Sequence, residues 1–299
     1  MSYRVSRSQV VYAMSKDNIP VLSVPSGSEM VFETCDCFED QINSKDTRFD
    51  SIDWNRINPA TGPVFVEGAE PGDTLAVTIH EIKLAEQAVM VTGKGLGVIG
   101  DRLERSHIEI VPIRGNKAVL FDRVEVPLNP MIGVIGSAPA GDPISSGVPD
   151  AHGGNMDCRV MAEGTTVYLP VNVPGALLAL GDLHAAMGDG EVSVCGLEVH
   201  GEVRLNAEVV KGRPWPLPMA HTGSHLYTIG SAALLDDAAK IATDNMVDLL
   251  TQHTGLTNEQ AINLMSVGGH LQICQIVDPK KTCRFEMPLD LLAQLGFSM

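Results

Sequence analysis

Short β-branched runs separated by Pro and Gly turns fill the chain from Ser2 to about Val134, which rules out a helical bundle. In the segment TLAVTIHEI, Leu75, Val77 and Ile79 alternate with Thr74, Ala76, Thr78 and His80, the period of a half-buried strand. One face is core and the other polar. Two turns, Glu70-Pro71-Gly72-Asp73 and Val173-Pro174-Gly175-Ala176, place Pro then Gly at the central positions favoured by a type II turn. Strands resume between Thr165 and Val210, and clear helical periodicity comes only after that. Ser231 is positioned to cap a helix reaching about His253, with Gly255 as its stop. Thr257 with Gln260 forms a capping box for a second helix through Leu264, before strands return in LQICQIV and CRFEM. This segregation of strands from helices predicts a mainly β, α+β fold. It divides the chain into a β-rich body over 1–225, carrying the candidate site loops, and a helix pair with returning strands over 226–299.

At 299 residues the chain buries a substantial core, and its formal net charge of −16 argues against nucleic acid or an anionic membrane as partner. The six cysteines are scattered without a CxxC pair, which fits reduced thiols. Neither a signal-peptide pattern nor a run of membrane-spanning length is visible, so the expectation is a cytoplasmic protein. No GxGxxG or phosphate loop follows a strand, and there is no GxSxG elbow for a serine nucleophile.

Two glycine-rich segments stand apart from this pattern. The first, Asp150-Ala151-His152-Gly153-Gly154-Asn155-Met156-Asp157-Cys158-Arg159, has almost no large apolar side chains, so its polar groups must face solvent, a ligand or one another. In the second, Gly181 to Glu191, acidic and imidazole groups recur two residues apart: Asp182 with His184, then Asp189 with Glu191. Extended backbone points such pairs to the same side, where they can converge on one ion. The same spacing recurs in Asp150 with His152, Asn155 with Asp157 and His200 with Glu202. Carboxylate plus imidazole suits zinc, manganese or iron, whereas all-oxygen sets suit calcium or magnesium. A plainer account makes each pair a turn or an exposed strand. A third candidate, His221-Thr222-Gly223-Ser224-His225, reads as a loop, and Cys158 reads as an inert small residue.

The two segments in this order resemble the acetamidase/formamidase family, and the likeness extends to Pro71-Gly72-Asp73, the helix pair and the closing Gln272–Pro279 segment. The resemblance implies a β-sandwich-rich fold, a homo-oligomer, and hydrolysis of formamide, acetamide or a similar short amide. It also implies a divalent metal near these loops, with zinc or calcium foremost. Carried onto this chain, the matching residues are His152, Asn155, Asp157, Asp182, His184 and Glu191, with Asp36 in ETCDC a further candidate. The family pattern also expects an acidic residue near the Gly-Gly-His step, where this chain has His270.

The expected roles are Asp182, His184, Asp36 and Asp189 as metal ligands, and Glu191 or Asp157 as the base. Asn155 and the Gly153-Gly154 amides would donate to a developing oxyanion, with His152 beside them. Two alternatives stay open. One is a metal hydrolase of the cyclase and kynurenine formamidase group, whose HxGTHxD pattern His221–His225 echoes, with Tyr227 where an aspartate belongs. The other is a non-catalytic β protein that binds a small amide or a metal.

Overall fold

The computed structural model describes residues 2–298 and is built from two large sheets. A nine-stranded sheet runs in the order Tyr3–Val5, Glu29–Thr34, Gly201–Val210, Thr74–Leu84, Thr166–Pro170, Met219–His221, His225–Ala232, Lys281–Pro288 and His270–Gln275. The second sheet has eleven strands, with Leu178–His184 near its middle, paired to Met131–Gly136, Ala60–Glu67 and Glu198–Val199. Side chains of both sheets meet in one core, Phe32, Ile79 and Leu205 from the first against Val64, Ile132 and Leu180 from the second. The fold is mainly β, as the alternation predicts.

In the strand Thr74–Leu84, Leu75, Val77 and Ile79 face that core, while Ala76 faces outward and is still buried. The helices supply the cover. Ala242, Met246 and Leu249 of the helix Leu235–Thr254 pack on Leu226, Phe285 and Met287, on the outer face of the nine-stranded sheet. That helix ends at Gly255 in the left-handed conformation, and the Thr257–Gln260 capping box opens the helix Asn258–Gly268. The first helix starts later than expected. Ser231 belongs to the strand His225–Ala232, where its hydroxyl meets Thr282 Oγ1 at 3.0 Å, so sheet pairing claims it ahead of capping.

The two Pro-Gly turns lie side by side and exchange backbone bonds, Gly72 N donating to Val171 O and Gly175 N to Ala69 O, each at 2.9 Å. Strands from both sides of residue 225 pair in one sheet, Met219–His221 with His225–Ala232. The last segment therefore reaches into the body, which bears on the site. Among the described residues, no helix is long and apolar enough to cross a membrane.

Candidate functional site

Four acidic side chains gather around His184 in the interior, and the backbone that delivers them is unusual. The strand Leu178–His184 ends with His184 directly opposite Glu198 on one neighbour and Met131 on the other. Asp157, Asp182 and Glu191 all take left-handed backbone, with φ of 42°, 57° and 47°. Such conformations in residues other than Gly cost about 1–3 kcal/mol and persist where the surroundings impose them. Gly133, on the adjacent strand, makes the convergence possible, since a Cβ there would sit 2.5 Å from Asp157 Oδ1 and 2.7 Å from Asp182 Oδ2. Gly196 does the same for the imidazole, as its Cβ would fall 2.6 Å from His184 Nδ1.

His184 Nε2 lies 3.1 Å from Glu198 Oε1, 3.4 Å from Asp182 Oδ1, 3.8 Å from Asp157 Oδ1 and 4.0 Å from Glu191 Oε1. None of the five residues is more than 6% exposed. Among the described residues, His184 is the only basic partner that these carboxylates have within 4.0 Å. Buried Asp157 Oδ1, Asp182 Oδ1, Glu191 Oε2 and Glu198 Oε2 accept no hydrogen bond, nor is His184 Nδ1 bonded. Each orphaned group costs about 1–3 kcal/mol or more when charged, so the shell is costly as it stands.

A divalent cation fits it. Donors at about 2.0–2.2 Å from a tetrahedral ion stand about 3.3–3.6 Å from one another, close to the separations around His184. Two donor sets lie within 4.8 Å internally, Asp157 with His184 and Glu191, and Cys37 with Asp182 and Glu198. The first set joins an imidazole to carboxylates and the second a thiol to carboxylates, so neither is an all-oxygen set.

Without an ion, the cluster holds protons in place of a cation. Burial pushes the Glu198 carboxyl up to about 8 and that of Asp36, with help from nearby Asp40 and Asp182, to about 7. Burial and neighbouring acids also carry Asp157, Glu191 and Asp278 well above the usual carboxylate range. Burial opposes charge on His184, yet Glu198 and Asp182 outweigh it and raise its pKa well above the ordinary value. Asp182 ends below its usual value, because His184 beside it overcomes burial.

The sequence-derived candidates divide. Asp157, Asp182, His184 and Glu191 come together, the first from one glycine-rich segment and the others from the second. Asp189 does not join them: its carboxylate is gripped by the Arg284 guanidinium at 2.9 and 2.8 Å, so its oxygens are already occupied. Asp36 is buried, but its Oδ1 accepts the amides of Phe38 and Asp40 at 2.9 and 2.8 Å, shaping the loop that carries Cys37. His152 is buried outside the cluster with both ring nitrogens unpartnered, and burial lowers its pKa to about 4. Asn155 Nδ2 donates to Asp278 Oδ2 at 2.9 Å, and the Gly153 amide donates to Asp150 O at 3.0 Å. Those two donors are engaged within the protein, against the oxyanion role expected of them.

Other candidates are spent elsewhere. Asp150 pairs with Lys280, and Glu202 with Arg4. His221 and His225 flank a hairpin between the strands Met219–His221 and His225–Ala232, where His225 lies near Glu286. Cys158 is fully buried, and His270 opens the exposed edge strand opposite Glu286.

Sequence reading missed Glu198, Cys37, Asp278 and Asn58. Glu198 carries a signal, being an acid between Leu197 and Val199 in an apolar run, next to the His200–Glu202 pair that spacing singles out. Asn58 donates to Asp182 Oδ2 at 3.4 Å from a loop far back in the chain, and nothing local marks it. Glu198, Asn155, Asp278 and Asn58 are among the residues lining a cavity of about 290 Å³ beside the cluster, while Glu191 lines another of about 500 Å³.

A family model described as the acetamidase/formamidase family matches residues 8–146 and 144–294. The structure superposes on an acetamidase from Bacillus halodurans with a TM-score of 0.97 and 49% identity, covering 98% of this chain and all of that one. It superposes equally on a predicted acetamidase/formamidase from Thermoanaerobacter tengcongensis, with a TM-score of 0.98 and 49% identity over 100% and 99% of the two chains. The acetamidase of Mycolicibacterium smegmatis is 26% identical over 64% of this chain. The chain spans 61% and 63% of the length of the first two curated relatives it matches, a Schizosaccharomyces pombe protein and that acetamidase.

Proposed function

The chain belongs to the acetamidase/formamidase family, and on that premise we propose that it hydrolyses linear primary amides, formamide and acetamide among them, to ammonia and the carboxylic acid. The observation that carries this reading is the buried, unpartnered shell of carboxylates around His184, of which Glu198 lines a cavity. In this reading His184, Asp182 and Asp157 hold one divalent cation, zinc in preference to calcium. Such an ion, when bound, brings the pKa of a coordinated water toward about 7 and polarises a carbonyl oxygen.

The chain's own groups do the rest. Asn58 keeps Asp182 oriented through its hydrogen bond. Glu191 is the base: its buried Oε2 is free, so as a carboxylate it takes a proton from water and returns it to the departing nitrogen. An amide nitrogen leaves as ammonia only when protonated, and Glu191 supplies that proton. Asn155 Oδ1, buried and unpartnered, and Asp278 beside it accept the two N–H groups of a primary amide. An ester has no such hydrogens and leaves both acceptors unpaired, which selects for amides.

In the test, Glu191→Gln is assayed for ammonia release from acetamide together with its metal content. We expect turnover to fall by about 10²–10⁴-fold with the metal retained. Normal turnover in that variant would remove Glu191 from the role.

A further inference from the structure

The cavity beside the acidic cluster has two unlike kinds of lining. Glu198, Asn155, Asp278 and Asn58 are its polar side chains, and Phe38, Trp54, Ile57, Val91, Leu96 and Val194 make its apolar walls. Those walls are backed by a hydrophobic cluster of their own, in which Phe38 and Val91 pack with Ile42, Ile52, Val89 and Ile108. They are therefore set by packing. Trp54 stands at the rim, 42% exposed, with its ring centroid 5.0 Å from that of Phe49.

The volume is large for the smallest amides. At about 290 Å³ the cavity holds roughly ten waters, each taking about 30 Å³ of liquid. Acetamide, with four non-hydrogen atoms, fills only a minor part of it. Its amide would occupy the polar acceptors and its single methyl would leave most of the apolar wall against water, which an apolar group displaces favourably. Among the described residues no basic side chain lines the cavity, so a carboxylate there would find no partner and the occupant of the apolar walls is neutral.

Resting on the amide-hydrolase reading above, we propose that this site takes primary amides with a neutral apolar acyl group longer than acetyl, about four to eight carbons, with Trp54 and Leu96 setting that preference. Each methylene moved from water onto the wall is worth about a four-fold gain in kcat/KM, the equivalent of about 0.8 kcal/mol. The gain is expressed in kcat/KM because the acyl chain is held through the reaction.

The experiment measures ammonia release by the metal-loaded full chain across acetamide, propionamide, butyramide, hexanamide and benzamide, with succinamate as the anionic member. We expect kcat/KM to rise about four-fold per methylene, on the order of a hundred-fold from acetamide to hexanamide, and succinamate to be a poor substrate. Trp54→Ala and Leu96→Ala each lower the hexanamide-to-acetamide ratio by about ten-fold, a ratio that partial unfolding would leave unchanged. Ammonia from acetamide with a flat or falling series would overturn this inference alone. No ammonia from any member would overturn the hydrolytic reading and this inference with it.

Discussion

Asp182 and Asp189 open and close one short glycine-rich segment and satisfy the same sequence rule, an acid two residues from another donor, yet the fold uses them in opposite ways. Asp182 enters a shell of buried carboxylates with one imidazole and leaves an oxygen without a partner. Asp189 receives two hydrogen bonds from Arg284, whose Nε also donates to Gln272 Oε1 at 2.6 Å. The Gly190 amide bonds Cys274 O at 2.9 Å, so this end of the segment is fastened to the edge of the nine-stranded sheet. Like residues at like spacing thus enter an unpartnered buried cluster at one end and a clamp at the other. Asp182 is buried without a hydrogen-bond partner for one oxygen, whereas Asp189 is partly exposed and already paired.

Substitutions test that contrast. His184→Ala removes the one basic group among four carboxylates and should lower ammonia release by at least about 10³-fold, with loss of bound metal by elemental analysis. Arg284→Met should instead act on stability, costing about 1–3 kcal/mol in urea unfolding, because it removes the charged hydrogen bonds from a buried guanidinium to Asp189 and Gln272. Its metal content should stay that of the parent. If Arg284→Met emptied the centre as His184→Ala does, the division between cluster and clamp would collapse.

A smaller effect comes with pH in the metal-free protein. Glu198 and Asp36 bind a proton more tightly folded than unfolded, with folded values of about 8 and about 7. Their contribution to stability is complete below the unfolded carboxylate range and is lost as pH rises through those values. His152 has the opposite sign, its value lowered to about 4, so it contributes fully above about pH 6.5 and loses that contribution only as pH falls from there through 4. Between about pH 6.5 and 8 the raised groups act, opposed above about pH 7 by the single Cys158 thiol, which, against its burial, Cys274 and Arg284 lower to about 7. Thermal unfolding of metal-free protein should therefore show stability falling there by up to about 1.4 kcal/mol per pH unit for each proton released. A rise over that window would show that the carboxylates are already charged in the native state.

Much of this was legible in the sequence, and the failures have physical causes. The helix pair could be read from capping chemistry and periodicity, because those signals are local and helices on an outer face obey them. Asp182 with His184 could be read from spacing, since neighbours two apart on extended backbone share a side. Ser231 misled because its cap potential was real but its strand partner Thr282 lies far along the chain. Glu198 reaches His184 only through antiparallel register, and Gly133 matters only because two carboxylates converge over it. Such roles arise from pairing across the sheet, which periodicity within one strand does not encode.

The central claim is that the His184 shell exists to hold a divalent ion that amide hydrolysis requires. Its most direct measurement is ammonia release from acetamide by purified protein before chelation, after exhaustive dialysis against chelator, and after zinc is returned, with metal content followed at each stage. The account predicts about one divalent ion per chain, loss of ion and activity together, and recovery of both. Undiminished ammonia release from protein shown to be free of metal would contradict it.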